Sequence, residues 1–313
     1  MPRPRLNAHV YVTPVCNLKC VHCYYEARMR SSAPLLPAAA IGRVLETLAD
    51  EYDSDVHMEG GEVFLRSDLK DVFARVPERC WSIVTITTGG AAKIDVPFEK
   101  LRLLQAVRVS VEGHTDDLQR RIRLIPLQPV LRTCDLLQTN GVTVTLRITL
   151  YGANYGVVPE MIDFFAARGL TRFSLFEMQP VGRGVSLDPA FFLSDDALRR
   201  ALVSLNDIPL HRVTSFRLGL KASRIPLVEE QAPMLRSRGF AIERPAETPS
   251  LTINSDGTIG SSAWQITAAG VADRAGVVDP ATFSCDLQRL LGSGALSRRC
   301  EYTSSVVISY PRS

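Results

Sequence analysis

The chain lacks any run approaching the roughly 20 apolar residues of a membrane-spanning helix, although hydrophobic residues make up 46% of its 313 positions. Its start, Met1-Pro2-Arg3-Pro4-Arg5, has no apolar export-signal core and leads straight into a strand-like segment. Neither charge is in excess. The net value of +3 is too small for a nucleic-acid-binding surface, and basic runs such as Arg120-Arg121-Ile122-Arg123 are short. Lysine is scarce, five against 31 arginines, which reflects genomic composition rather than function. No low-complexity linker and no short repeat divides the sequence. Cysteine is sparse and odd in number, seven in all. An odd set with no export signal predicts a reducing cytoplasm, where thiols serve metals or chemistry. These absences leave a cytoplasmic chain with neither membrane nor nucleic acid among its partners. Its length suits one α/β domain, or one domain with a smaller appendage.

Three of the cysteines fall in one short loop. Cys16, Cys20 and Cys23 follow a C-x3-C-x2-C spacing, and no fourth cysteine lies closer than Cys80. Three soft thiolates suit an iron–sulfur cluster. A four-iron cluster on three protein ligands keeps one iron open for another molecule, as a catalytic zinc keeps an open position. On a helix, residues 16, 20 and 23 would share a face as a buried cysteine stripe. Against that, Pro14 and Asn17 make a poor helix, and Lys19 and His22 interrupt any apolar run. A structural zinc site needs a fourth ligand, and His22 is too near Cys23 to complete a tetrahedron easily.

Strand-like and helix-like segments alternate from the start. Strands are predicted at residues 8–13, 55–62, 81–88, 107–112, 142–150 and 172–178. Helices are predicted at 36–52, 68–76, 97–105, 127–138, 158–168 and 193–205, the first carrying Ile41, Val44, Leu45 and Leu48 at helical spacing. Six β-α repeats in order predict a parallel sheet. In such sheets functional residues gather at the carboxyl ends of the strands. The cysteine loop, Gly60-Gly61-Glu62, Thr87-Thr88-Gly89-Gly90 and Ser110-Val111-Glu112-Gly113 all fall there. After about residue 213 the rhythm changes to a strand at 216–222, a hairpin around an Asp-Gly turn at 251–259, and a helix from Asp279-Pro280.

The cysteine loop with the glycines that follow resembles the radical S-adenosylmethionine (AdoMet, SAM) enzymes, including the histidine, His22, before the last cysteine. The resemblance implies a partial (β/α)6 barrel over residues 1–213 and one 4Fe-4S cluster on Cys16, Cys20 and Cys23. It also implies that the open iron chelates AdoMet, whose one-electron reduction yields a 5′-deoxyadenosyl radical. The electron would come from an external reductant such as flavodoxin or ferredoxin. Gly60-Gly61-Glu62-Val63 is similar to the family's Gly-Gly-Glu-Pro motif, with valine for proline. Its glycines let the backbone approach the ligand, and Glu62 can accept from an ammonium group. Ser110 and Glu112 resemble the serine and acid that contact AdoMet. The stretch Arg121-Ile122-Arg123 resembles the family's carboxylate-pairing arginine, without the usual histidine-aspartate lead-in. The choice between Arg123 and Arg121 stays open, and Arg147 is an alternative anion partner.

Segments 154–169 and 177–184 resemble the subgroup with SPASM or twitch extensions, which bind auxiliary clusters. The hairpin at 251–264 resembles that extension's hairpin, but Ser261-Ser262 stands where a cluster cysteine is expected. Only Cys285 and Cys300 remain downstream, too few for the usual four ligands. Residues 214–313 are therefore expected to form a small α+β, SPASM/twitch-like extension without a cluster. Without an auxiliary electron acceptor, a redox-neutral outcome fits: epimerisation, rearrangement or decarboxylation. Cys285 and Cys300, both in polar contexts, are the candidate hydrogen donors, while Cys134 and Cys80 are expected in the core. Only about eight residues precede the first strand. That favours a small natural product, an aminoglycoside or nucleoside sugar, over the alternative of a ribosomally made peptide. The non-catalytic alternative is an iron–sulfur sensor or scaffold.

Overall fold

The computed structural model describes residues 3–25, 27–32, 35–244, 248–260, 276–277, 283–292 and 306–311. Along the chain run β1 (Arg5–Tyr11), α1 (Ala38–Glu51), β2 (Asp53–Glu59), α2 (Leu69–Arg75), β3 (Val84–Thr88), α3 (Phe98–Leu101) and β4 (Ala106–Ser110). Then come α4 (Asp116–Arg123), α5 (Gln128–Thr139), β5 (Val144–Leu150), α6 (Val158–Ala166), β6 (Arg172–Glu177), α7 (Asp195–Ser204), β7 (Ser215–Leu220) and α8 (Ile225–Ser237). The remainder supplies β8 (Ala241–Glu243), β9 (Ser250–Ile253), β10 (Thr258–Gly260), β11 (Gly276–Val277), α9 (Phe283–Gly292) and β12 (Val306–Tyr310).

All twelve of these strands join one sheet, in the order β11-β10-β9-β1-β2-β3-β4-β5-β6-β7-β12-β8. Strands β1 to β7 pair in parallel with their sequence neighbours, as the alternating β-α rhythm predicts. Strand β7, beyond residue 213, continues that parallel series, and later strands flank both edges of the sheet. Two side chains show that the sheet curls into a partial barrel. Glu59 on β2 meets Arg147 on β5 at 3.1 Å, across the two strands between them.

Strand β1 has two unlike faces. On β1, Leu6, Ala8 and Val10 point to the helices and are fully buried, while Asn7 and His9 point into the barrel. Helix α1 closes that outer face with Ile41, Val44, Leu45 and Leu48. Each such side chain contributes about 1.5–3 kcal/mol by leaving water. In packed barrels the lumen is filled by branched apolar residues. Here it carries His9, His57, Glu59, Thr87, Arg108, Ser110, Arg147 and Thr149. The lumen is a site and not a core. Among the described residues, no helix is long and apolar enough to cross a membrane.

Candidate active site

The cysteine loop is held by backbone bonds to three other segments. Cys16 N–H donates to Arg28 O at 2.8 Å, Val21 N–H to Ile122 O at 3.0 Å, and Arg183 N–H to Cys23 O at 3.1 Å. Arg183 also donates to Cys20 O and Ala27 O. Two glycines make this closeness possible. A Cβ on Gly61 would stand 2.2 Å from Val15 O, and one on Gly182, whose φ is +55°, would stand 2.5 Å from Tyr24 O. With its backbone satisfied elsewhere, the loop turns Cys16, Cys20 and Cys23 into a cleft at the carboxyl ends of the strands.

That cleft is open at its mouth and runs from the cysteine loop to the ends of β2, β3, β4, β5 and β6. Burial pushes the Cys16 thiol up to about 11, and it raises Cys20 while the Arg123 guanidinium pulls that thiol back. Buried thiols that resist ionisation alone are suited to cationic irons, which supply the missing charge. Among the described residues no three His, Cys, Asp or Glu side chains converge on one point as a single ion requires.

Gly60, Gly61, Ser110, Arg123 and Arg147 line this same cleft, as the motif positions imply. Glu62 and Glu112 stand one layer behind it, bonded to residues that line it. Glu62 spends both oxygens on the protein: Oε2 accepts from Thr88 Oγ1 at 2.9 Å and Gly89 N at 2.8 Å, and Oε1 from Phe64 N at 3.2 Å. It ties the end of β2 to the end of β3. Glu112 accepts twice from Arg123 on Oε1, at 2.9 and 2.7 Å, and from Thr149 N on Oε2 at 2.8 Å. Burial raises the Glu112 carboxyl and the Arg123 guanidinium opposes that shift. Glu112 holds Arg123 in place at the cleft, whereas Arg121 is exposed and bonded to Asp117.

The cleft also contains residues that no motif marked. Glu59 accepts from Tyr24 OH at 2.7 Å, Thr87 Oγ1 at 3.3 Å and Arg147 Nη1 at 3.1 Å. Burial opposes its charge, but His9 and Arg147 outweigh burial and hold the carboxyl well below the usual range. Glu177 and Gln179, at the end of β6, line the opposite wall. Arg224 donates two hydrogen bonds to Glu177 Oε1, at 2.9 and 2.6 Å. Glu177 Oε2 and Gln179 Oε1 are buried with no hydrogen-bond partner. Glu59, Glu177 and Gln179 follow the rule that strand ends carry function, which was the one signal available for them.

Below the cleft, His57 Nδ1 sits 2.9 Å from Arg108 Nη1, and its ring lies 4.9 Å from that of His9. Burial, then Arg108 and His9, hold His57 neutral well below its ordinary range. The unfolded chain's His57 titrates near about 6.5. Below that pH the unfolded state binds a proton that the folded state refuses, so stability falls as pH drops. Urea unfolding between about pH 7 and pH 5 should show this loss, and His57→Gln should flatten the slope. An unchanged slope in the variant would remove His57 from the acid response.

Cys285 is not brought to the cleft. It is exposed on α9. One turn on, Gln288 reaches Glu51 at 3.5 Å, at the end of α1 that leads into the start of β2. That is the opposite end of the strands from the cysteine loop, so access to the cleft is lacking. Cys300 lies outside the described residues. Cys80 and Cys134 are buried in the core, as expected.

A family model described as the Radical SAM superfamily matches residues 10–174. The probable GTP 3',8-cyclase of Halobacterium salinarum is 29% identical over 188 residues, covering 56% of this chain and 51% of that protein. The PqqA peptide cyclase of Granulibacter bethesdensis is 23% identical over 208 residues, 65% of this chain and 55% of that one. The chain thus spans about half the length of these curated relatives. Streptococcus suis SuiB, in the crystal structure bound to precursor peptide SuiA, has a similar fold, with a TM-score of 0.70 at 18% identity. The match covers 96% of this chain and 68% of SuiB.

Proposed function

Because the chain belongs to the radical SAM superfamily, we propose that it abstracts a hydrogen atom from an amide-bearing peptide, with no net oxidation of that substrate. Its cofactors are a 4Fe-4S cluster, for which Cys16, Cys20 and Cys23 are the available ligands, and AdoMet beside Gly60, Gly61, Ser110, Arg123 and Arg147. When bound, these supply a 5′-deoxyadenosyl radical as the hydrogen-abstracting agent. The protein's own residues position the reactants and keep water from the site.

The observation that carries the substrate reading is the pair of unpartnered acceptors, Glu177 Oε2 and Gln179 Oε1, in the wall of the cleft. A buried acceptor left unpaired costs about 1–3 kcal/mol, so the pair asks for a ligand with two N–H or O–H donors. Charge supports a neutral donor group. Of the guanidiniums lining the cleft, Arg123 is paired with Glu112 and Arg147 with Glu59. A triphosphate finds both of these guanidiniums already paired. Amide groups of a peptide meet the acceptors without a charge penalty. SuiB bound to its precursor peptide and the PqqA peptide cyclase agree in substrate class. Residues 214–313 contain only two cysteines, which supports the absence of an auxiliary cluster and a redox-neutral outcome.

The test is anaerobic turnover of the reconstituted chain with AdoMet, a reductant, and either a short-peptide library or a panel of aminoglycosides and nucleotides. Peptides should raise 5′-deoxyadenosine output above the rate without additive. Glu177→Gln, which places an NH2 group where the free oxygen stood, should weaken that response roughly tenfold or more, as loss of a charged hydrogen bond predicts. Stimulation by the small-molecule panel alone would replace the peptide reading with the tailoring of an aminoglycoside or nucleoside sugar.

A further inference from the structure

Arg123 has a second contact that the AdoMet-binding role leaves unused. Its Nη1 approaches Cys20 Sγ at 3.8 Å, within hydrogen-bonding range for sulfur. The position is built, not incidental. Arg123 is the last residue of α4, and Ile122 O just before it accepts from Val21 N at 3.0 Å, one residue past Cys20. The guanidinium uses Nε and Nη2 on Glu112 Oε1, which leaves Nη1 free to face the sulfur.

Glu112 is itself fixed from three further directions. Thr149 N donates to its Oε2 at 2.8 Å, its own N–H donates to Gln119 Oε1 at 2.8 Å, and Asn154 Nδ2 donates to its C=O at 2.9 Å. Gln119 is one turn before Arg123 on α4. Gln119, Glu112 and Asn154 are each completely buried. The guanidinium is thereby locked against the loop before any ligand arrives.

We propose that Arg123 is a redox-tuning residue: clamped by Glu112, it donates a hydrogen bond to the Cys20 sulfur and raises the reduction potential of the cluster held there. The inference rests on the reading of Cys20 as a cluster ligand. Hydrogen bonds to cluster sulfurs, together with net charge and burial, set the potential, because they stabilise the more negative reduced state. A bond already present in the resting protein acts whether or not AdoMet is bound, which separates this role from carboxylate pairing.

The experiment is an EPR-monitored redox titration of the reconstituted full chain without AdoMet. Its subjects are wild type, Arg123→Lys, and the double variant Glu112→Gln with Arg123→Met. The double variant removes a cation and an anion together, so net charge near the cluster is unchanged and loss of the N–H···S bond is isolated. Arg123→Lys keeps the charge without the fork geometry, and serves as the readout if the double variant fails to fold. The expected result is a shift to more negative potential in each variant that retains the wild-type iron content. A potential equal to wild type in such a variant would overturn the inference and leave Arg123 to AdoMet alone. A wild-type chain that takes up no cluster would overturn the family reading of the loop as well.

Discussion

Replacing Cys16, Cys20 and Cys23 together by alanine should remove all iron and sulfide from the reconstituted protein and abolish AdoMet cleavage. Wild type should carry about four irons per chain, the content of one 4Fe-4S cluster. The fold should survive the change. The loop is held by backbone bonds to Arg28, Ile122 and Arg183, none of which uses a thiol. Iron and sulfide analysis with a far-UV circular dichroism spectrum checks both halves. A triple variant that still holds four irons would move the cluster elsewhere, and eight irons in wild type would reveal a second cluster.

Arg147→Met should destabilise the protein by about 3–5 kcal/mol, the cost of breaking a buried pair from one side. Glu59 is buried in the lumen, where His9 and then Arg147 hold its carboxylate charged. Without Arg147, Glu59 keeps Tyr24 and Thr87 as donors and His9 beside it but loses the guanidinium. Adding Glu59→Gln to Arg147→Met should recover much of the loss, since a neutral amide carries no unpaired charge. Urea unfolding midpoints of the two variants decide this. Equal losses would mean that packing of Arg147 over Phe176, and not the charge pair, carries the effect.

The sequence yields the outer architecture more readily than the site's interior. Alternation of the kind seen at Leu6, Ala8 and Val10 is a local pattern, and so is the stripe Ile41, Val44, Leu45, Leu48 on α1. The cysteine spacing is local too. By contrast α4 carries three arginines and two aspartates in eight residues, so no apolar stripe marks it; a Thr115 cap and two buried side chains hold it as a helix. Helix α8 was masked by Pro226 and Pro233, the first tolerated at the start of the helix. Trp81 reads as part of a strand but sits in 3-10 turns, where it stacks on Phe73 at 4.3 Å. The largest gap concerns partners. Glu59 and Arg147 are 88 residues apart and meet because the sheet curls, which no local window encodes. Glu62 and Glu112 lie at the strand ends their motifs imply, but their bonds to Gly89 N–H and to Arg123 depend on partners distant in sequence.

Quantifying 5′-deoxyadenosine and methionine after anaerobic incubation of the reconstituted wild-type chain with AdoMet and dithionite tests the radical SAM assignment most directly. The two products should appear in equal amounts, only with reductant present, and not at all in the triple cysteine variant. A wild-type chain carrying its full cluster that binds AdoMet but forms no 5′-deoxyadenosine would contradict catalysis and leave an iron–sulfur sensor or scaffold.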